Sequence, residues 1–525
     1  MAAIAQGSPT GGAGTAGDEP KADLAAWLAV VAGTLGALMA TLDVSIVNSA
    51  LPTVQGELGA TGTEGTWIST SYLIAEIVII PMAAWLQRLL GLRTFLLIAA
   101  GFFIGFSVLC GLATNLGMMI LGRVGQGFTG GAMIPTAQTI IAQRLPRSQQ
   151  PIAIAFFGIT AISGPVMGPL VGGWLTENMS WHWAFFLNVP ICIVLMTLLS
   201  VGLPHEPWRP DLLREADWKG IIGLTLGLGG LTVLLEDGQR EQWFDSSLIQ
   251  AVFAISLTGF ALLFWGQATA KRPIVKLKLL LDRQFGAVAM VATVLGVVLY
   301  GTAYSLPQFL SAVAGYNALQ SGKVVLLSGV PSMMMIGFMP WLMRHMDIRL
   351  SVGAGLAIMA MAAMLDANLT IGSTGSAFTA SQLLRGVGQT MCMLFLSQAV
   401  VRSVSRDDAG DAAGLFAAVR NLGGSLALAG IGIMQDQRMV LHTERINDTL
   451  DANSVLVQDH LATTAPLYGG PDGALQILSQ QVQQQALVMT YNDIFWTMSM
   501  VTLCVLPLVF FLRPLSKGAA PAAVH

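Results

Sequence analysis

Residues 42–52 read LDVSIVNSALP, and the reading of the whole chain turns on Asp43. This residue sits inside a run that is otherwise almost wholly apolar, from Leu24 to Pro52. A carboxylate at membrane depth costs on the order of 2.5–3.5 kcal/mol on insertion scales, and such residues face a bundle interior and pair or titrate. Composition supports that frame. Of the 525 residues 54% are hydrophobic and 10% charged, against about 25% charged in soluble domains. The sequence reads as an all-α integral membrane protein with the lipid bilayer as its solvent.

Apolar stretches of about 20 residues are long enough to cross a bilayer as helices. Fourteen are expected, at 26–50, 66–86, 92–113, 117–143, 151–174, 183–203, 218–236, 247–268, 285–312, 320–343, 350–369, 377–401, 409–434 and 493–513. Alternate loops carry the basic residues, among them Arg88 and Arg93, Arg144 and Arg147, Lys271 to Arg283, and Arg344 and Arg349. By the positive-inside rule both termini are cytoplasmic. Residues 1–22 and 516–525 read as cytoplasmic tails, the first disordered. The polar, Gln-rich stretch 435–492 is expected as a long outer loop holding short amphipathic helices.

Two short stretches recur. WLQRLLGLR (85–93) aligns with WLMRHMDIR (341–349), and LGRVGQG (121–127) with LLRGVGQ (383–389), at nearly the same offset. The expected organisation is therefore a six-helix half at 23–205, two inserted linker helices at 206–270 and a second six-helix half at 271–515. A repeat of this kind marks a transporter that rocks one half against the other around a central site.

The deepest ionisable residues are Asp43, Glu76, Arg123, Arg385 and Arg420. Burial raises a carboxylate pKa and a neighbouring arginine lowers it. Asp43 thus reads either as a proton carrier or as half of a static Asp–Arg pair. Tyr72 and Glu76 share a helix face, which suits a cavity lining, a site for a cationic substrate, or plain structure. Asn48 and Gln126 read first as interhelical hydrogen-bonding groups. In GPVMGPLVGG (164–173), Gly164, Gly168 and Gly172 fall on one helix face, with Gly173 at its end. That face allows close backbone approach, and Pro165 and Pro169 beside it favour a bend. Gln87, Arg88, Arg93, Arg344, Asp347 and Arg349 lie in the two repeated loops, where a gate would sit.

Several classes are excluded. The sequence holds no HExxH, GxSxG or P-loop pattern, so an enzyme is not indicated and ATP hydrolysis is disfavoured. No cofactor or metal is implied. Cys110, Cys192, Cys392 and Cys504 have neither metal-site nor disulfide spacing. No basic cluster interleaved with aromatics suggests nucleic acid. A sensor or membrane enzyme would need a soluble domain, and the cytoplasmic loops are shorter than about 25 residues.

Together these motifs resemble the major facilitator superfamily drug:proton antiporters of the fourteen-span EmrB/QacA type, closest to the EmrB branch, over roughly residues 24–515. LDVSIVNSALP resembles the family's first-span motif, LGRVGQGFTGGAMIP its fourth-span motif and GPVMGPLVGGWL its antiporter motif. WHWAFFLNVP, DWKG (217–220) and RNLGGS (420–425) match as well. The resemblance implies export driven by the proton gradient across the inner membrane, of hydrophobic or amphipathic compounds including drugs. It implies Asp43 as the proton-linked acid, Arg123 as the coupling arginine and Gly164 to Gly173 as a hinge. It also implies a periplasmic adaptor and an outer-membrane channel as partners, with 435–492 as a docking surface. The chain departs from the superfamily at the gate motif, where AWLQRLLGL has Ala84 for the first glycine and Arg88 at the acidic position. Asp347 is the candidate replacement acid in the second copy. An exporter dedicated to one metabolite, such as a fatty acid or siderophore-like compound, and proton-independent facilitated diffusion remain the alternative readings.

Overall fold

The computed structural model describes residues 22–60, 62–405, 407–450, 454–468 and 470–512, and the regular structure there is entirely helical. The tails expected at 1–22 and 516–525 lie outside the described residues, Ala22 excepted. The chain begins with α1 (Leu24–Glu57), α2 (Gly62–Gly65), α3 (Trp67–Leu90), α4 (Leu92–Gly111), α5 (Leu116–Gly130), α6 (Met133–Arg144), α7 (Gln150–Asn178), α8 (Trp183–Phe186) and α9 (Asn188–Gly202). Next come α10 (Asp211–Arg214), α11 (Trp218–Asp237) and α12 (Ser247–Thr269). The remainder is α13 (Lys278–Leu281), α14 (Arg283–Ala312), α15 (Ala318–His345), α16 (Ile348–Asp366), α17 (Thr379–Ser403), α18 (Ala409–Thr449), α19 (Val455–Thr464) and α20 (Pro471–Val505).

Among the described residues, 11 helical stretches are long and apolar enough to cross a membrane. The chain between Leu116 and Arg144 is not one of them, because α5 and α6 break at Gly131 and Ala132. Nor is α17, whose Ser381, Gln382, Arg385, Thr390, Ser397 and Gln398 are all buried. A helix can hold that many polar groups in a membrane when they face protein rather than lipid. Much of the remaining polarity ends helices. Asp23, Asn115, Asp217, Asp282, Asn317 and Asp347 each accept a hydrogen bond from a first-turn N–H, which satisfies donors that lipid cannot.

Packing repeats along the chain. α1 packs on α7 and α9, α3 on α5, and α4 on α5 and α9. In the same order α14 packs on α18 and α20, α15 on α17, and α16 on α17 and α20. The two bundles meet where α3 and α6 touch α18 and where α7 touches α15. α11 and α12 form a tight pair, and α11 lies against both α3 and α18 at that junction.

The outer loop expected at 435–492 is a correction. α18 runs on to Thr449 and α20 already starts at Pro471, so most of that stretch is a helical hairpin, with α19 near its tip. Asp493 Oδ2 clamps the two arms together, 2.9 Å from His442 Nε2 and 3.5 Å from Arg438 Nε. Low hydropathy concealed the arms, because Gln, Glu, Arg and Leu are good helix formers. Buried Ala474, Val482 and Ala486 recur on one face of α20, the spacing of an amphipathic helix. The bend expected at Pro165 and Pro169 does not interrupt α7, which is helical throughout.

Candidate functional site

Asp43 is fully buried and sits at the centre of a polar node. Arg123 Nη1 on α5 lies 2.6 Å from Asp43 Oδ2, and both side chains are at 0% exposure. Asp43 Oδ1 accepts from Asn188 Nδ2 at 2.6 Å and from Gln126 Nε2 at 3.2 Å. Gln126 also donates to Ser107 Oγ at 2.8 Å. Arg123 donates through Nε to the Ile68 carbonyl at 3.0 Å, and its guanidinium lies 4.3 Å from the Tyr72 ring centroid. Helices α5 and α9 thus bond the carboxylate on α1 directly, and α3 and α4 hold its partners through Ile68, Tyr72 and Ser107. Sequence reading brought Asp43, Arg123, Tyr72 and Gln126 to notice but missed Ser107 and Asn188. Asn188 had a signal: it is the Asn of WHWAFFLNVP and the first residue of α9.

From this node a polar chain leads to the junction of the two bundles. Glu76, two turns or less from Tyr72 on α3, accepts from Asn421 Nδ2 of α18 at 3.3 Å. Asn421 Oδ1 accepts from Tyr300 Oη of α14 at 3.2 Å and from Arg420 Nη2 at 3.4 Å. Glu236 of α11, also missed, accepts from Ser425 Oγ of α18 at 3.0 Å. Arg385 does not join this polar chain. It pairs with Asp366 of α16 at 2.6 Å, both nearly fully buried, as the counterpart of Arg123 in the second bundle. Asp366 is the last residue of an apolar helix and falls inside the span expected at 350–369, but sequence reading does not single it out.

At the end of the bundle that carries the basic loops, Arg88 meets an acid that the sequence did not offer. Its Nη1 and Nη2 lie 2.8 and 3.2 Å from the two carboxylate oxygens of Asp411. Asp411 stands in the first turn of α18, where a helix N-terminus favours negative charge. Lys276 bridges Asp411, at 3.1 Å, and Asp408. The charge order is therefore Arg88, Asp411, Lys276, Asp408, with arginine where the superfamily motif has an acid. Asp347 does not serve as the replacement acid. It is exposed and caps α16 by accepting from Arg349 N at 2.8 Å. Arg344 Nη2 instead reaches the Ser148 carbonyl across the junction at 3.1 Å, Arg349 the Leu512 carbonyl at 2.5 Å and Arg93 the Leu203 carbonyl at 3.3 Å. Gln87 is buried and donates to Thr136 Oγ1 at 2.7 Å. A cavity of about 380 Å³, lined in part by Gln87, Arg88, Glu206 and Gly410, opens beside this charge cluster.

Lys276 and Asp408 keep their charges across the neutral range. Burial pushes the Asp408 carboxyl up, but hydrogen bonds from Lys276 and Ser405 outweigh it and hold the group below its ordinary value. Burial pushes Lys276 down, but its bonds to Asp408 and Asp411 outweigh that and hold it above. A depressed acid contributes fully above about pH 3.9 and is lost only as pH falls further. A raised amine contributes fully below about pH 10.4 and is lost only as pH rises further. With the acids inside the bundle neutralised (Asp43→Asn with Glu76→Gln), a spin-label distance between the Arg88 end of α3 and the start of α18 should therefore stay constant from about pH 5 to 9. A shift within that window would show that another group titrates in the gate.

The glycine face of α7 lies on α1. A Cβ added at Gly164, Gly168 or Gly172 would overlap Thr41, Ser45 or Ser49 respectively, residues that share the same four-residue spacing. Gly173 points to open space, and Pro169 reaches across to Gly322 of α15. The side chain of Pro165 lies outside the described residues. Overpacking such a seam costs about 1–3 kcal/mol. Gly168→Val is expected to lower transport at least tenfold and to reduce the melting temperature, whereas Gly173→Ala keeps both near wild type. Equal behaviour of the two variants would remove the seam from the transport cycle. Asn48, by contrast, is exposed and accepts from Ser69 Oγ at 2.7 Å, a plain tie between α1 and α3. At the far end a cavity of about 790 Å³ opens between α14, α18 and α20, with Gln308, Gln435 and Tyr491 on its wall. All four cysteines are free, and only Cys504 is exposed.

Comparisons with known proteins place this helical chain in a family. The model of the Major Facilitator Superfamily matches residues 33–428. The Colistin resistance protein EmrB of Acinetobacter baumannii is 31% identical over 481 residues, 91% of this chain and 94% of that one. The Fatty acid resistance protein FarB of Neisseria gonorrhoeae is 29% identical over 496 residues, 93% of this chain and 96% of that one. Among solved structures, the human organic anion transporter MFSD10 (TETRAN) matches with a TM-score of 0.62 at 14% identity, over 92% of this chain and 99% of that one, a likeness of fold. The chain belongs to the Major Facilitator Superfamily, in its EmrB-type group.

Proposed function

We propose that this protein exports hydrophobic or amphipathic compounds, drugs among them, in exchange for protons, by alternating access between two six-helix halves. The observation that carries the reading is the Asp43–Arg123 pair, 2.6 Å long and wholly buried. An acid held by an arginine and two amides at membrane depth can take up a proton when the pair is opened and release it to the other side when the pair re-forms. In this reading the chain crosses the inner membrane fourteen times with both termini in the cytoplasm. Residues 23–205 and 271–515 form the halves and 206–270 the inserted pair. Asp43 carries the proton and Arg123 sets its affinity. Glu76, Tyr72, Arg420 and Asn421 line the chamber, the α1–α7 seam slides, and the Arg88–Asp411 contact seals the cytoplasmic end. Arg385 and Asp366 fasten the second half. The hairpin formed by the outer arms of α18 and α20 is the surface offered to a periplasmic adaptor that leads to an outer-membrane channel.

The test is proton release from everted membrane vesicles carrying the protein. Once a pH gradient is established, lipophilic compounds of several classes should dissipate it in a saturable way. A response to fatty acids alone would favour a dedicated exporter, the reading that the likeness to the FarB protein supports. Saturable transport with no proton movement would leave facilitated diffusion.

A further inference from the structure

The inserted pair α11 and α12 does more than fill space beside the two bundles. Gly223, Gly227 and Gly230 bring one face of α11 onto α12, and Gly229 turns another toward Ile74 and Val78 of α3. What remains at the end of the helix is Glu236, half-buried and hydrogen-bonded to Ser425 of α18 at 3.0 Å. It stands close enough to Glu76 and Tyr300 to act on both electrostatically. Asp43, Asp366, Asp237 and Asp411 each face an arginine or a lysine. Glu76 and Glu236 form no ion pair among the described residues. Arg420, the cation beside Glu76, directs its N–H groups to Met393 Sδ at 3.7 Å and Asn421 Oδ1 at 3.4 Å. The junction therefore holds two carboxylates with one guanidinium beside Glu76, and Tyr300 is tied to the same Asn421 at 3.2 Å. Uncompensated acids in such a place are expensive and mark function, and an aromatic face next to them suits a cation.

We propose that Glu236, delivered by the inserted helix, is a specificity-determining residue of the transport path, where together with Glu76 it receives the cationic centre of a lipophilic substrate. The inference rests on the exporter reading and names the substrate class of its chamber. It is tested with the full-length protein in proteoliposomes, using tetraphenylphosphonium as the cation and oleate as an anion of comparable apolar size. Glu236→Gln should raise the KM for tetraphenylphosphonium about tenfold while oleate transport and the melting temperature stay within the wild-type range. Glu236→Asp, which keeps the charge, should retain cation transport. A parallel fall for both probes, or no change for either, overturns the proposal. Wild-type transport of oleate without tetraphenylphosphonium overturns it while sparing the exporter reading. Failure of the wild type to move either probe or any proton overturns both.

Discussion

Asp43→Asn is expected to abolish substrate-driven proton release, by at least about a hundredfold, and to lower the stability of the protein as well. The stability loss follows from burial. Removing one member of a buried ion pair leaves the other charge uncompensated and costs about 3–5 kcal/mol, and Arg123 has no exposed surface through which to recruit water. Its remaining acceptors are Gln126 Oε1 at 3.0 Å and the Ile68 carbonyl at 3.0 Å, both neutral. A fall in transport by the single variant would therefore mix two causes. The double variant Asp43→Asn with Arg123→Gln separates them, because it removes both charges and leaves groups that can still hydrogen-bond. Most of the lost melting temperature should return in the double variant, while proton coupling stays absent. Recovery of both stability and pH-dependent transport would mean that the pair is a static pin, with coupling left to Glu76. The pH-insensitive gate sharpens the test. With Lys276 and Asp408 charged throughout the working range, pH dependence of transport points to the acids inside the bundle.

The residues of this node were legible in the sequence to different degrees. A lone acid in an apolar run is conspicuous, so Asp43, Glu76, Arg123, Arg385 and Arg420 stand out. Their pairing was not legible, because Asp43 and Arg123 are 80 positions apart and a one-dimensional pattern carries no distance. Ser107 and Asn188 are small, neutral and common, and only the three-dimensional meeting of α4, α5 and α9 gives them a role. Position within an element misled in three further cases. Asp366, Glu236 and Asp411 lie in the last or first turn of their helices, where an acid reads as a boundary. The packing shows instead that Asp366 and Asp411 are buried and that Glu236, half-buried, is tied across to Ser425 of α18. The hairpin arms went unseen for the opposite reason: α18 and α20 continue past the apolar stretch, so hydropathy loses the helix before the helix ends.

The gate has the second-largest expected effect, and its inverted polarity allows a sharp experiment. Arg88→Asp places a carboxylate against Asp411, turning an attraction between the two bundles into repulsion. The Arg88 side chain is 36% exposed and that of Asp411 1%, so the pair is worth more than a surface bridge and less than a buried one. A coupling of about 1–3 kcal/mol shifts a two-state equilibrium by roughly 5- to 150-fold. The population sealed at the cytoplasmic end should fall by a factor in that range, seen as a longer spin-label distance between the end of α3 and the start of α18. Export should fall with it. Arg88→Gln should cost less, because Lys276 still neutralises Asp411. The swapped pair, Arg88→Asp with Asp411→Arg, should regain part of the sealed population but not all of it, since Lys276 then faces a positive charge. Adding Lys276→Gln to the swap should improve recovery further. A swap that performs worse than Arg88→Asp alone would mean that the helix N-terminus of α18, rather than Arg88, is what holds Asp411 in place. The contact would then be a consequence of closure and not one of its causes.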